Sequence, residues 1–225
     1  MIRLSQVKKT FFQGENEISV LKSVDLELQA GQTAAILGPS GSGKSTLLNI
    51  ISGIEPQSEG DVFFKDFDFS KLTQKEKDQL RFEKFGFVFQ QFNLLSHLNV
   101  FENVLFPLEL KKIPQAEEKA KKFLDSVGLS HRLNHFPPTL SGGEKQRVAI
   151  ARALAGGPEL ILADEPSGSL DEESGKNIMD LFFGLVEESK CALLMVTHNP
   201  ELAEHCDLSF VMKDGQIVSK DNRGQ

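Results

Sequence analysis

The chain contains no tryptophan and no tyrosine, so its 18 phenylalanines carry the aromatic character alone. Every aromatic stacking role therefore falls to Phe or His. Only two cysteines are present, Cys191 and Cys206. They are too few for a disulfide framework and agree with a reducing cytosol. Cys191 opens an apolar run ending at Val196 and reads as a small core residue. No run of about 18 apolar residues occurs, which excludes a spanning helix. The first residues, Met1-Ile2-Arg3-Leu4-Ser5, lack the apolar centre of a signal peptide. If the protein serves a membrane, the spanning part is expected on another chain. A basic excess is missing too: 25 Lys and Arg face 32 Asp and Glu, for a net charge of -7. That balance disfavours a nucleic-acid backbone as the main partner.

What is present is 225 residues, 40% of them hydrophobic, enough for one substantial core. The Lys/Glu runs, Lys75-Glu76-Lys77-Asp78 and 117–122, mix both signs and read as solvated helix faces. Ile2, Leu4 and Val7 start a short strand, and near-alternation over 20–28 predicts a second. Ala30-Gly31 is a turn, 33–37 a short apolar strand, and 44–51 a helix that Gly53 can cap. A strand over 61–64 and a polar helix over 75–84 follow. From about Asn99 to Ala155 the pattern is helical, in pieces at 100–105, 116–127 and 144–155 punctuated by Pro107, Pro114 and Pro137-Pro138. Strands return at 160–163 and 192–197, continuous apolar runs of the kind covered on both faces, with a helix over 174–187 between them. That β-α-β order implies a parallel sheet with right-handed crossovers. Asp214-Gly215 marks a hairpin.

Two motifs carry chemistry. Gly38-Pro39-Ser40-Gly41-Ser42-Gly43-Lys44-Ser45 matches G-x-x-x-x-G-K-[ST] at every fixed position, with Thr46 following inside the helix. Glycines let main-chain N–H groups wrap phosphates without Cβ clashes, and the helix N-terminus adds a favourable dipole. In that motif Lys44 reaches the β- and γ-phosphates of ATP and Ser45 ligates Mg²⁺. The second motif is Leu160-Ile161-Leu162-Ala163-Asp164-Glu165. Four apolar residues present Asp164 at the C-terminal end of a strand, where doubly wound sheets hold ligands. Asp164 suits Mg²⁺ through water, and Glu165 suits polarising an attacking water.

Between them lies Leu140-Ser141-Gly142-Gly143-Glu144-Lys145-Gln146-Arg147, which resembles the signature motif of ABC ATPases. The resemblance implies that this segment opens a helix, and that Ser141 and Gly143, with Gly142 and Glu144 in the same motif, meet the γ-phosphate of ATP held by the Lys44 loop of a second copy. A hydroxyl, glycine amides and a helix dipole make a physically reasonable anion site. The resemblance further assigns Gln90 to the glutamine that touches Mg²⁺ and the attacking water and senses a transmembrane partner. It assigns Ser169-Leu170-Asp171 to the loop crossing the dimer interface, and His198 to a γ-phosphate contact. Phe11 stands where the family stacks an aromatic on adenine, often Tyr; Phe12 is an alternative. His131 and His135 have the i, i+4 spacing of a metal pair, but no third ligand is apparent; His97 and His205 read as surface or structural.

The resemblance covers essentially the whole chain. Within ABC ATPases it is similar to the group containing LolD, MacB and FtsE, on Gly14-Glu15, the run from Gly86 through Gln90 to Leu95, and Glu102-Asn103-Val104 with Pro107. Ser167-Gly168-Ser169 departs from the Thr-Gly-Asn or Thr-Gly-Ala usual there. The resemblance implies an α/β fold: a P-loop NTPase (RecA-like) core with a mostly parallel sheet, an N-terminal antiparallel β subdomain and a helical insert at about 92–156, in a single domain over 1–225. It implies ATP and Mg²⁺ as ligands, a head-to-tail ATP sandwich with a second copy, and an integral permease at the cytoplasmic face of the membrane. Lipoprotein release or macrolide/peptide-type export is the expected task. The alternatives are an FtsE-like control of a cell-wall hydrolase and a DNA-acting ABC ATPase. The latter would need a long coiled coil between the motifs, and no sustained heptad run appears between Ser45 and Ser141.

Overall fold

The computed structural model describes residues 1–222. The chain forms two compact units: Met1–Phe82 together with the segment from Ala192 onward, and Glu83–Cys191.

The first unit begins with β1 (Ile2–Gln13) and β2 (Asn16–Leu28), paired antiparallel. The expected short first strand is thus long. Strict alternation from Ile2 and Leu4 would turn Gln6 inward. Instead the register shifts between Leu4 and Val7, and Gln6 takes φ 49°. This bulge returns Val7 and Lys9 to the buried face. β4 (Glu59–Phe64) lies on the other side of β1 and pairs with the two-residue β5 (Phe67–Asp68), giving the order β2-β1-β4-β5. α2 (Gln74–Lys84) buries Leu80 and otherwise stays polar, as its composition requires.

A second group of strands in this unit places the nucleotide motif. β3 (Thr33–Leu37) runs parallel to both β8 (Ala192–Thr197) and β9 (Leu208–Lys213), and β10 (Gln216–Asn222) closes the order β10-β9-β3-β8. Ala34, Ala35 and Ile36 are fully buried, as are Leu193 to Val196, which is why both segments read as unbroken apolar runs. α1 (Lys44–Ile51) buries Leu47, Leu48, Ile50 and Ile51. Gly53, at φ 69°, ends it by donating to the Ile50 carbonyl at 3.0 Å. The β9–β10 hairpin turns at Asp214 and Gly215, both at positive φ (48° and 80°), the pattern of a two-residue primed turn. The short α7 (Pro200–Glu204) connects β8 to β9.

The second unit contains β6 (Phe85–Phe89) and β7 (Leu160–Asp164), paired parallel, with α3 (Val100–Leu110), α4 (Ala116–Ser126), α5 (Gly142–Ala155) and α6 (Glu172–Ser189). β6 escapes sequence reading because Phe85-Gly86-Phe87-Val88-Phe89 has neither alternation nor a β-branched run. α5 packs against α3, α4, α6 and β6, and it buries Val148 to Ala151, Ala153 and Leu154. Pro107 does not end its helix: α3 continues to Leu110. An interior proline costs about 3 kcal/mol. Burial of Val104, Leu105 and Leu108 around it offsets that, at about 1.5–3 kcal/mol per side chain. Asn103 strengthens this helix start. It is 1% exposed, and its side-chain amide donates to the carbonyls of Leu95, Leu98 and Asn99 while Oδ1 accepts from the Leu95 amide. Among the described residues, no helix is long and apolar enough to cross a membrane.

Candidate functional site

In the first unit the glycine-rich loop leaves β3 at the C-terminal edge of its parallel strands, where helix dipoles and loop amides favour ligands. A Cβ on Gly38 would lie 2.3 Å from the Met212 carbonyl oxygen, so the loop passes too close to β9 for any side chain there. Gly43 is the N-cap of α1 at φ 103°, a region L-residues avoid. No side chain caps this helix. The Lys44 ammonium folds back over the loop and donates to the carbonyls of Gly38 (2.7 Å) and Pro39 (3.1 Å). The hairpin turn steadies the loop, since the Gly215 amide donates to the Ser42 carbonyl at 3.1 Å. The Ser42 hydroxyl is buried and has no hydrogen-bond partner. An orphaned hydroxyl within an amide-rich turn beside a lysine fits a phosphate chain. Ser40, Gly41, Ser45 and Thr46 continue this turn into α1.

The β3–β8 register pairs Leu37 with Thr197. His198 therefore stands level with Gly38, one residue past the paired ends, and it is exposed. Asn199 fixes the chain just after it: its side chain accepts from the Glu201 amide and its own amide donates to Thr197 Oγ1. On the β1–β2 hairpin, Phe11 pairs across with Ile18, both partly exposed, and the Lys9 ammonium lies 4.6 Å from the Phe11 ring centroid. Phe12 is 77% exposed, on the opposite face of the strand.

The second unit assembles a different set. The β6–β7 register pairs Phe89 with Asp164, so Gln90 and Glu165 emerge together at the strand ends. Glu165 takes φ 46°, left-handed backbone that a residue with a side chain adopts only when its surroundings hold it there. The turn after it is pinned by Gly168 N–H to the Glu165 carbonyl at 3.0 Å and by Gln146 Nε2 to the Pro166 carbonyl at 2.6 Å. Gln90 Nε2 presses on Gly168, where a Cβ would lie 2.9 Å away.

The signature segment opens α5 with a complete capping box. Ser141 Oγ accepts from the Glu144 amide at 3.2 Å, and Glu144 accepts from the Ser141 amide at 2.8 Å. Glu144 also takes a hydrogen bond from Arg132 Nε at 2.8 Å. Its carboxyl is held below the usual glutamate range, first by the Ser141 amide and further by Arg132. Glu144 thus serves the helix directly. Gly142 and Gly143, whose amides no intrahelical carbonyl reaches, line an open depression of about 340 Å³ together with Ser141, Arg147, Ser169 and Asp171. Arg147 Nε is buried there without a partner. Asp171 caps α6 by accepting from the Ser174 amide at 2.9 Å, which lowers its pKa.

Sequence reasoning missed Gln146 and Arg152. Gln146 is fully buried on α5. Arg152 donates from two guanidinium nitrogens to the carbonyls of Phe92 and Asn93, and burial lowers its pKa. The available signal was a polar residue on the apolar-periodic face of α5.

Comparison with known proteins adds four findings. A family model described as ABC transporter matches residues 21–168. The lipoprotein-releasing system ATP-binding protein LolD of Hydrogenovibrio crunogenus is 43% identical over 220 residues, covering 97% of this chain and 96% of that protein. The uncharacterized ABC transporter ATP-binding protein YbbA of Escherichia coli is 43% identical over 219 residues, covering 96% of each. Among solved structures, a dimeric post-hydrolysis state of the ATP-binding cassette MJ0796 bound to ADP and Pi matches with TM-score 0.91 and 40% identity, covering 99% of both chains.

Proposed function

The chain belongs to the ABC transporter family of ATP-binding, ATP-hydrolysing proteins, and we propose that it drives an integral membrane permease as one half of a head-to-tail pair with a second copy of itself. It would sit peripherally at the cytoplasmic face, with lipoprotein release or macrolide/peptide-type export as its task. The likeness to a lipoprotein-releasing ATPase over nearly the whole chain supports the task, and the dimeric cassette structure supports the pairing.

In this reading Lys44 exchanges its loop carbonyls for β- and γ-phosphate oxygens, a charge-assisted gain. The amides from Gly41 to Thr46 and the Ser42 hydroxyl wrap the same phosphates, and Phe11 or Phe12 stacks on adenine. Ser45, Gln90 and Asp164 offer a hydroxyl, an amide carbonyl and a carboxylate, a hard oxygen set of the kind Mg²⁺ prefers. When bound, Mg²⁺ neutralises phosphate charge around the bond to be cleaved. Glu165 orients a water and takes its proton as the water oxygen bonds the γ-phosphorus; the bridging P–O bond breaks and its electrons leave with ADP. His198 stabilises the charge developing on the γ-phosphate.

The observation that carries the pairing is the open depression at the start of α5. Two glycines, an arginine and three serines line it beside the Asp171 carboxylate, a set of donors suited to an anion, yet it contains no lysine loop of its own. In the proposed pair it receives the γ-phosphate held by the partner, so ATP links the chains and hydrolysis releases them. Glu165→Gln tests this. It keeps shape and removes the base, so turnover should fall by roughly 10²–10⁴-fold while the chain elutes as a dimer in MgATP. Purely monomeric elution with MgATP bound would sink the pairing.

A further inference from the structure

Three carbonyls just past β6 are held by side chains instead of by sheet or helix. The Gln90 carbonyl accepts from Ser169 Oγ at 2.9 Å. The Phe92 carbonyl accepts from Arg152 at 2.8 Å, and the Asn93 carbonyl from the other terminal nitrogen of Arg152 at 2.5 Å. Phe92 and Asn93 are consecutive residues in the left-handed region, at φ 61° and 48°. Asparagine tolerates that region, but a bulky aromatic is an outlier there. Such a turn persists only when its surroundings over-determine it.

Arg152 has the right shape for that task. Its planar fork places two donors on two successive carbonyls, which an ammonium cannot do. Among the described residues its guanidinium bonds carbonyl oxygens and no carboxylate. A half-buried cation without a counter-charge still loses hydration that its hydrogen bonds must replace, and packing alone would be served better by an aliphatic chain. Arg152 also rides on α5, the helix whose N-terminus is Ser141, and Ser169 lines the depression at that terminus. Any displacement of α5 or of Ser169 therefore pulls on the backbone that carries Gln90.

We propose that Arg152, assisted by Ser169, is a positioning residue for Gln90: it holds the left-handed turn after β6 so that the Gln90 amide stays at the strand ends beside Glu165, and it ties that placement to the state of the α5 N-terminus. The proposal rests on the reading of Gln90 as a metal- and water-contacting side chain.

Arg152→Lys in the full chain is the main test, since it keeps charge and length and loses the fork. Amide hydrogen exchange over 90–94 should accelerate by roughly tenfold, with β8 unaffected, as expected for the loss of about one good hydrogen bond. kcat for ATP should fall by about the same factor, while KM and the affinity for a fluorescent ATP analogue stay within roughly twofold. Ser169→Ala should shift exchange and kcat in the same direction by a smaller factor, and Ser169→Thr should restore both. Unchanged exchange over 90–94 in Arg152→Lys, or a raised KM with wild-type kcat, overturns the proposal. Should Arg152→Lys lose its cooperative melting transition, the exposed Ser169 pair decides: Ala and Thr both behaving as wild type would overturn it. Gln90→Ala separates the two levels. Wild-type turnover in that variant removes the reading of Gln90 itself, whatever Arg152 does to the turn.

Discussion

Helices α1 and α5 both begin on glycine-rich turns, and their first turns are finished in different ways. α1 starts at a left-handed glycine with no side-chain cap, and its lysine lies over the loop. α5 starts at Ser141 with two of its orphan donors satisfied by its own Ser141 and Glu144. The third case is instructive: α3 carries the same kind of capping box, Asn99 with Glu102, and no glycines behind it. A capping box by itself therefore builds a helix start. The glycines at the first two positions of α5, and the depression in front of them, make that start available to an anion. α1 starts without a side-chain cap and has Lys44 beside the loop to balance an anion's charge, whereas the capped α5 offers a smaller, pre-formed contact. In the proposed pair, one end grips a nucleotide and the other meets the nucleotide held by the second copy.

That contrast can be broken most easily at Lys44. Lys44→Ala should weaken MgATP binding by on the order of a hundredfold, the loss of a charged hydrogen-bonding partner. Isothermal calorimetry showing unchanged affinity would end the assignment of α1 as the gripping end. The next effect is smaller and comparative. Ser141→Ala and Asn99→Ala each remove one N-cap, and each should cost about 1 kcal/mol in urea unfolding. Only Ser141→Ala should also depress ATP turnover; equal turnover losses in both would reduce the α5 start to a structural cap. The smallest effect concerns Glu144. Its folded pKa lies below its unfolded value, roughly 4.3. Its contribution is therefore full above that unfolded value and is lost as pH falls through the lower folded one. Glu144→Gln keeps the capping geometry and loses the charge facing Arg132. It should cost a few tenths of a kcal/mol at pH 7, given solvent screening, and the gap should narrow progressively as pH falls below the unfolded value. A gap that stayed the same size as pH fell would show that charge has no part in the cap.

Much of this was legible along the chain. β3, α1 and β8 fall where the apolar runs and the Gly53 stop place them, and the Asp214-Gly215 turn closes the hairpin it signals. These features arise from contacts within a few residues, where periodicity, caps and φ preference act directly. β6 is hidden because a phenylalanine-rich strand with a glycine inside it has no polar–apolar alternation to read. Pro107 punctuates the sequence pattern because its local cost is visible there, whereas the offsetting burial around α3 is not.

The same division holds at the site. By itself the sequence determined the phosphate loop, the acidic pair ending β7 and the signature start of α5, since each is a short run whose chemistry lies in adjacent residues. Tertiary structure decided the strain at Glu165, the buried Gln146 bond to Pro166, and the hold of Arg152 on Phe92 across 60 positions of chain. Such bonds join groups that only packing brings together, and a carbonyl acceptor is present at every residue. No pattern in the sequence marks which carbonyl a half-buried guanidinium will reach.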